Sequence, residues 1–388
     1  MESRVNQTND TLNLHFPQCL EPDFGAQLPL AVDAVESIIA SIDGVDFEPL
    51  VRRSPGLRGN DWNNYLRCSI ARMVHASAAL SRRGVTRGRV LDYGAYFGNF
   101  SLLLGRMGFD VDAVDSYRTY EGVFDRPRDL LHNAGLRSFD FADVGHDLHA
   151  LESDSYDVVL CMGVVEHLPD TPRRLFASLN RVLAPGGQLI LDTPNLVHLY
   201  NRQKLARGES VMPDLETFFY GQGPFEGHHR EYTFSELVWM LHQIGHTSIS
   251  VESFNYSLYG GGTLFGRDIL NYWLMVRDPS MRELLMSAST KSNQDRATPL
   301  TPRPSESWQA LLTDPEVTFQ RAIPSELLDR PPEAGVAAEL MVEKLQAAIT
   351  QRDEEFRRMH DHLQAEVNLR DQLLQKLQAQ INGERRTD

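Results

Sequence analysis

The sequence predicts an α/β fold in which helices cover both faces of a parallel sheet. Strand-like runs recur along the chain as RVLDYG, DVDAVD, SYDVVLCMG and GQLILDTP, separated by segments long enough for helices. This alternation is typical of parallel sheets, which bind ligands at the carboxyl ends of their strands. The first run also leads into a glycine-containing turn, at 92–98. Farther on, TSISVESF and NYWLMVRD are predicted as two further strands.

Composition limits the classes of partner and the setting. The 388 residues are 41% hydrophobic, enough for at least one large core. A net charge of -15 offers no basic field for a phosphate backbone, so we expect no nucleic acid partner. The cysteines, Cys19, Cys68 and Cys161, show no paired spacing, which favours a reduced, cytoplasmic setting. No run of about 18 apolar residues occurs, so we expect no direct membrane span.

Changes in composition divide the chain into segments. The region after the core is polar and contains prolines, which predicts a flexible linker. Apolar residues then recur three and four apart, with Arg352 as an interruption, which predicts a coiled coil. The alternative for this tail is a single amphipathic helix packed on the domain. The predicted order is N-terminal extension, core domain, linker and coiled coil, at 1–59, 60–286, 287–333 and 334–383.

The turn after the first strand is predicted to hold a nucleoside at the start of a helix. Asp92 ends the strand, and Gly94 and Gly98 lie in the turn. A dinucleotide-binding turn would need further glycines at Tyr96 and Asn99. The carboxylate of Asp92 would repel a pyrophosphate and would attract a sulfonium or ammonium group. The charges therefore favour S-adenosylmethionine as the cofactor.

The turn resembles the first motif of the class I S-adenosylmethionine-dependent methyltransferases, D-x-G-x-G-x-G, which stands here as D-Y-G-A-Y-F-G. The resemblance covers about residues 60 to 255. It implies a Rossmann-like, seven-stranded sheet with helices on both faces, followed here by the coiled-coil helix. Asp115 matches the family's ribose-binding acid, and Asp143, with Asp147 as second choice, its adenine-binding acid. The implied cofactor-binding residues are Asp92, Gly94, Ala95, Tyr96, Gly98, Asp115, Asp143 and Met162.

Tyr96 departs from that motif because it replaces the middle glycine. A side chain here must point away from the cofactor or form part of its pocket. We expect the ring to border the methionine end of the cofactor. The alternative is a degenerate turn that binds no cofactor.

Candidate catalytic residues follow the fourth strand, at the edge where the methyl group should lie. Transfer to an unactivated hydroxyl requires alignment and a base, and histidine is the commonest base near neutral pH. We interpret His167 as the base or an acceptor-binding residue. Glu166 would bind the cofactor, a substrate hydroxyl or a backbone group. The alternative is a pair that caps the following helix.

A second candidate segment is EGHHREYT. Extended alternation would place His228, Arg230 and Tyr232 on one side, a polar set suited to a hydroxyl-rich or anionic acceptor. The segment resembles H-x-R-E-Y-T in bacterial methyltransferases of polysaccharide pathways. That resemblance alone implies that Asn195 and Arg202 line the acceptor pocket. The alternative is a solvated loop before a helix.

No metal is predicted for this site. Glu166, His167, Asp170, His228 and His229 could converge, but the sequence contains no HxH or HExxH spacing that would indicate metal ligands.

These observations lead to a predicted O-methyltransferase acting on a sugar hydroxyl of a polysaccharide or glycolipid intermediate. The chain is similar to methyltransferases that cap O-antigen chains and carry a coiled coil, which implies self-association or a glycosyltransferase partner through that coil. Such a partner would bring a cytoplasmic protein to the inner membrane. One alternative is a methyltransferase of a quinone, lipid or secondary metabolite, with a small-molecule acceptor. Another is a non-catalytic scaffold for the coiled coil.

Overall fold

The structure of the chain is a computed structural model. The chain divides into two compact units, Met1–Leu328 and Asp329–Asp388, and every described residue lies in the first. The predicted coiled coil at 334–383 lies outside the described residues. The described residues are 27–141, 147–220, 226–256, 271, 274–275, 278–292 and 317–319.

A single mixed sheet forms the centre of the described structure. Its strands are β1 Arg89–Tyr93, β2 Asp110–Asp115, β3 Arg137–Asp140, β4 Tyr156–Met162, β5 Leu183–Pro194, β6 His246–Phe254, β7 Leu284–Lys291 and β8 Val317–Phe319. Their spatial order is β3-β2-β1-β4-β5-β7-β6-β8. Strand β7 is antiparallel to both β5 and β6, and the other neighbours are parallel. The predicted Rossmann-like sheet is thus confirmed, with short β8 as an eighth strand at the β6 edge.

Helices pack on both faces of this sheet. The α-helices of the described residues are α1 Gln27–Ser41, α2 Glu48–Arg53, α3 Trp62–Arg82, α4 Asn99–Arg106, α5 Asp125–Asn133, α6 Arg173–Val182, α7 Leu199–Ala206, α8 Leu215–Phe219 and α9 Phe234–Gln243. Successive strand residues point to opposite faces, so Val90 and Val158 join the core under α1, α3, α4 and α5. Leu91 and Val159 join the core under α6 and α9. Within the described residues, no helix has the length and apolar character needed to cross a membrane.

The core domain begins earlier than the predicted boundary at residue 60. Helix α1 lies within the predicted N-terminal extension, yet Ala34, Val35 and Ile38 on one of its faces are fully buried in the core. The side chain of Arg67 in α3 also forms an ion pair with Glu36 of α1. Residues from 27 onward therefore belong to the folded domain, because burial of this apolar face stabilises the helix.

The end of the domain also differs from the prediction. Asn271, Leu274 and Met275, inside the run predicted as a strand, are helical, and the strand that completes the sheet is β7. Strand β7 crosses the predicted boundary into the linker at 287–333, and β8 lies within that predicted linker. The folded domain therefore extends into sequence whose composition is typical of a linker.

Buried serines explain why β7 is hard to recognise. The Ser287 hydroxyl donates to the Leu191 carbonyl at 3.2 Å, and the Ser289 hydroxyl lies 2.8 Å from His246 Nδ1. A buried hydroxyl costs little when it has a hydrogen-bond partner. A polar sequence can therefore occupy an inner strand whose neighbours supply those partners.

Two arginines anchor helix α3 to the sheet. Arg72 donates through Nε and Nη2 to the two carboxylate oxygens of Asp192 on β5, each at 2.6 Å. The Asp192 side chain is fully buried, with 0% of it exposed. Arg83, after the last turn of α3, donates to the carbonyls of Ser248 and Ala288, each at 2.6 Å. Helix α3 is therefore fixed at its middle and just after its carboxyl end by charge-assisted hydrogen bonds.

We predict that replacing Asp192 by alanine lowers the free energy of unfolding by about 3 to 5 kcal/mol, because the buried guanidinium of Arg72 loses its partner. Urea denaturation of the full chain measures this loss. The matched control is Glu36→Ala, which removes the half-exposed pair with Arg67 and should cost less than about 1 kcal/mol. Equal losses in the two variants would contradict this account of the Arg72 pair.

Candidate active site

The turn between β1 and α4 has the backbone shape of a nucleoside-binding turn. Gly94, Tyr96 and Gly98 have φ values of 75°, 52° and 78°, all in the left-handed region. A Cβ on Gly94 would also overlap the side chain of Val164, which follows β4. The turn can thus approach the end of β4 only because residue 94 is glycine.

Tyr96 keeps the backbone conformation of the glycine it replaces. Left-handed backbone costs a non-glycine residue roughly 1 to 2 kcal/mol. The half-buried Tyr96 ring packs against Phe97 and Phe124, with ring centroids 4.4 and 5.1 Å apart, and at 6.2 Å from Tyr65. This packing offsets the backbone cost, so the structure shows no collapse of the turn at the missing glycine.

Two carboxylates lie beside the turn, one buried and one partly buried. Asp92 is 1% exposed and accepts a hydrogen bond from the Ser101 hydroxyl at 2.6 Å, and burial raises its pKa to about 6. Asp115 accepts from the backbone N–H groups of Tyr96 and Ser116, at 2.8 and 2.7 Å. Burial raises the pKa of Asp115, while those two hydrogen bonds oppose the rise.

The same region contains a buried hydroxyl with no hydrogen-bond partner within the described structure, that of Tyr117. Burial and the charges of Asp115 and Asp92 raise the pKa of Tyr117 well above its usual value. Two desolvated carboxylates and an unpaired hydroxyl suit a cationic ligand that carries hydrogen-bonding groups. The residues therefore fit S-adenosylmethionine.

The other residues predicted to bind the cofactor have the following positions. Gly94 and Ala95 donate their backbone N–H groups to the Val114 carbonyl, at 2.9 and 3.1 Å, which joins the turn to β2. Met162 ends β4 and is 6% exposed. Asp143 lies outside the described residues.

A second group of functional side chains assembles after β4. Glu166 and His167 lie in a short 3-10 turn, Val165–His167, at the carboxyl end of the sheet. His228 arrives from the segment before α9, and its ring centroid is 4.7 Å from that of His167. One potential ligand atom from each of Glu166, His167 and His228 lies within 4.8 Å of the others. The structure thus brings these predicted residues together, and we call them the Glu-His-His cluster.

Backbone hydrogen bonds hold the two segments of this cluster together. The Glu166 carbonyl accepts from the N–H groups of His229 and Arg230, at 2.7 and 3.3 Å. His167 Nδ1 lies 3.0 Å from the Glu226 carbonyl, and His228 Nδ1 lies 3.0 Å from Glu231 Oε1. Each imidazole is therefore oriented through Nδ1.

Glu166 has an unusual environment for a carboxylate. It is 3% exposed, and its Oε2 has no hydrogen-bond partner in the described part of the chain. Burial and the nearby Asp192 raise the pKa of Glu166 to about 7, although His228 and Arg72 oppose the rise. Glu166 can therefore exchange a proton near neutral pH.

The two histidines differ in protonation. Desolvation and the neighbouring His228 lower the pKa of His167 to about 4, against the carbonyls of Glu226 and Gly227, which raise it. For His228, burial lowers the pKa, but the hydrogen bond with Glu231 and the charges of Glu166 and Glu231 together outweigh burial, and the net shift is upward. His167 is therefore neutral at pH 7.

Sequence reasoning missed the groups that support this cluster. Arg72 lies against Gly163, where an added Cβ would be 2.5 Å from Arg72 Nη2. Arg72 and Asp192 are 120 positions apart, and no local pattern connects them. Glu231, by contrast, is part of the segment EGHHREYT, so its spacing from His228 was a usable signal.

Other residues predicted to contact the acceptor make the following contacts within the chain. The exposed Arg230 side chain pairs with Glu236 at 2.6 Å, away from the cluster, and Tyr232 is buried in the core under α6 and α9. Asn195 Nδ2 donates to the carbonyls of Ser280 and Arg282.

Arg202 has backbone contacts of the same kind. Its Nε donates to the Val197 carbonyl at 2.5 Å and its Nη2 to the Ser280 carbonyl at 2.9 Å. The predicted acceptor-binding roles of Asn195, Arg202, Arg230 and Tyr232 stay predictions.

We predict that Asp92→Asn changes how stability depends on pH. A raised pKa means that the protonated carboxyl stabilises the folded state below about pH 4, and that this contribution is lost as pH rises through about 6. Between pH 4 and 7.5 the free energy of unfolding of the wild type should fall by roughly 3 kcal/mol from this group, and Asp92→Asn should not show that fall. Urea denaturation of wild type and variant without cofactor measures the difference.

The control for that experiment is Asp110→Asn, at the half-exposed ion pair with Arg137 on the sheet surface. It should retain the wild-type pH dependence. A parallel pH dependence in Asp92→Asn and wild type would contradict a strained, buried carboxylate at position 92.

We predict that Tyr96→Gly weakens binding of S-adenosylhomocysteine roughly tenfold, because glycine relieves the backbone but removes the ring. Tyr96→Phe retains the ring and should bind like wild type. Calorimetry measures both affinities. Unchanged affinity in Tyr96→Gly would exclude the Tyr96 ring from the cofactor site.

Comparisons with known proteins agree with this geometry. Residues 62–251 match the protein family described as "Methyltransferase domain". A ubiquinone biosynthesis O-methyltransferase of Xanthomonas oryzae pv. oryzae is 36% identical over 128 residues, which are 32% of this chain and 49% of that protein. A ubiquinone biosynthesis O-methyltransferase of Hahella chejuensis is 33% identical over 111 residues, 28% of this chain and 43% of that protein. The chain thus spans about half the length of the curated relatives it matches.

Solved structures with a similar chain course include a SAM-dependent methyltransferase from Archaeoglobus fulgidus, with 17% identity and a TM-score of 0.38 over 56% of this chain and 94% of that one. A putative sarcosine dimethylglycine methyltransferase from Galdieria sulphuraria gives 16% identity and a TM-score of 0.41 over 67% of this chain and 99% of that one. The matched family covers both the turn and the Glu-His-His segment after β4. Residues 62–251 therefore form a methyltransferase domain, as predicted, and its cofactor is S-adenosylmethionine.

Proposed function

We propose that this chain is an O-methyltransferase that acts on a sugar hydroxyl of a polysaccharide or glycolipid intermediate. The observation that carries the proposal is the Glu-His-His cluster, which lies at the carboxyl edge of the sheet, one strand away from the cofactor turn. When bound, S-adenosylmethionine supplies the methyl group. The chain's own residues align the acceptor and remove its proton.

His167 is the residue that we propose receives the acceptor proton. Its Nδ1 faces the Glu226 carbonyl, which can only accept a hydrogen bond, so Nδ1 carries the proton and Nε2 has a free electron pair. Glu166 and His228 would hold the acceptor hydroxyl beside it. An aliphatic hydroxyl ionises poorly at pH 7, so a positioned base contributes most for this class of acceptor.

A quinone precursor is the second candidate acceptor. The relatives that match part of the chain are named ubiquinone biosynthesis O-methyltransferases. In addition, α8 and the residue after it expose large apolar side chains, at Leu215, Phe218, Phe219 and Tyr220. An apolar surface of this kind suits an acceptor with a hydrocarbon tail.

The predicted coiled coil is retained as a proposed means of self-association or of binding a glycosyltransferase. The proposal depends on the sequence pattern at 334–383. We propose a cytoplasmic site of action, with contact to the inner membrane through such a partner.

The acceptor classes are separated by incubating the purified chain with labelled cofactor and a panel of synthetic oligosaccharides, prenylated phenols and small metabolites. We expect a mass increase of one methyl group in an oligosaccharide. Methylation of the phenols alone would contradict the sugar proposal and support the quinone alternative. Absence of S-adenosylhomocysteine binding by calorimetry would support the scaffold.

We predict that His167→Ala lowers turnover by about 100-fold or more, since it removes the proposed base, while cofactor affinity stays within roughly twofold. Turnover is measured with the best acceptor from the panel. The matched control is His229→Ala, a neighbouring residue that contacts Glu166 through its backbone N–H. Equal turnover in the two variants would contradict a role for His167 as the base.

A further inference from the structure

We propose that Glu166, His167 and His228 bind one divalent first-row transition-metal ion. The inference deepens the proposed function and rests on it for the role of the ion, which would coordinate the acceptor hydroxyl. It differs from the sequence prediction, which found no metal-ligand spacing. The ligands come from separate segments, 166–167 and 228, so no short motif could indicate them.

The hydrogen bonds of the histidines are those of metal ligands. A ligating histidine usually binds a carboxylate or a backbone carbonyl through one ring nitrogen and the metal through the other. His167 Nδ1 faces the Glu226 carbonyl and His228 Nδ1 faces Glu231 Oε1, each at 3.0 Å. Both arrangements leave Nε2 for a metal ion.

Glu166 supplies the third ligand and an independent indication of an ion. Its side chain is buried, and Oε2 has no hydrogen-bond partner within the described residues. A buried carboxylate oxygen without a partner is costly. Coordination of Oε2 to a cation would remove that cost.

Surrounding charges favour a dication. The Glu231 carboxylate lies 3.0 Å from His228 Nδ1, and Glu166 brings its own carboxylate to the cluster. Arg72 is already bound to Asp192 through both oxygens. The charges of Glu166 and Glu231 are therefore left for the ion and its histidine ligands.

The spacing allows coordination after small side-chain movements. The potential ligand atoms lie within 4.8 Å of one another. Around a tetrahedral ion with bonds of about 2.0 to 2.1 Å, ligand atoms are about 3.4 Å apart. Movements of about 1 Å by the exposed His167 and the partly buried His228 would close the site.

Two histidines and one carboxylate leave at least one coordination position open, as in catalytic zinc sites. We assign that position to the acceptor hydroxyl. Coordination favours loss of the hydroxyl proton to solvent water. The alkoxide oxygen then forms the bond to the methyl carbon as the carbon–sulfur bond of the cofactor breaks. With the ion bound, the Nε2 electron pair of His167 is used for coordination, so water takes the proton in place of the base role proposed above for His167.

The test measures metal binding directly. The full chain is treated with a chelator, dialysed and titrated with Zn²⁺ by calorimetry and with Co²⁺ by visible absorption. We expect one ion per chain, with Co²⁺ d–d bands typical of nitrogen and oxygen ligands. Glu166→Gln, His167→Ala and His228→Ala should each weaken binding by about 100-fold or more, and Glu231→Gln, which removes the partner of His228, by 10- to 100-fold.

His229→Ala is the control and should bind the ion like wild type. Circular dichroism shows whether each variant is folded, and Glu231→Gln leaves every ligand in place if a ligand variant unfolds. Absence of binding, or equal affinity in the folded ligand variants and the control, would overturn the proposal.

Activity distinguishes this inference from the proposed function. Full methyl transfer by chelator-treated chain that binds no added ion would overturn the metal site and leave the methyltransferase proposal intact. Stoichiometric binding that is lost in the ligand variants, in a chain that methylates no acceptor, would support the metal site and contradict the proposed function.

Discussion

The ion pair between Arg72 and Asp192 is the constraint on which the site depends. It joins α3 to the centre of the sheet, and its guanidinium fills the space beside Gly163, at the point where β4 ends. The backbone after β4 therefore passes beside the Arg72 guanidinium at Gly163, just before the turn that contains Glu166 and His167. The pair also sets the local charge, because Asp192 raises the pKa of Glu166 and Arg72 lowers it. Stability and chemistry are coupled here through one buried contact.

Local sequence was sufficient for the parts of the site that are local in the chain. The cofactor turn follows one strand within a few residues, so its glycines and Asp92 could be recognised together. Glu166 and His167 follow β4 directly and were predicted for the same reason. His228 was predicted from its motif, and the structure brings it to His167. Tyr96 also fits the motif in its backbone, because it has the left-handed conformation that a glycine at this position would have.

Contacts between distant segments could not be predicted in this way. Extended alternation was expected to place Arg230 beside His228, but the N–H groups of His229 and Arg230 both bind the Glu166 carbonyl. Two consecutive N–H groups cannot face one acceptor in a regular strand, where successive residues alternate. Strand β7 was missed because its serines are polar in composition and are satisfied only by neighbouring strands.

Gly163 has a consequence for how related sequences should vary. The Arg72 guanidinium occupies the space that any side chain at 163 would need, and residue 163 has a left-handed backbone with φ of 66°. A relative with a larger residue at 163 must therefore carry a shorter one at 72, and then no longer needs an acid at 192. These three positions should co-vary as a set during evolution, although they lie far apart in sequence. Such a change would remove both the positive charge of Arg72 and the negative charge of Asp192 from the surroundings of Glu166.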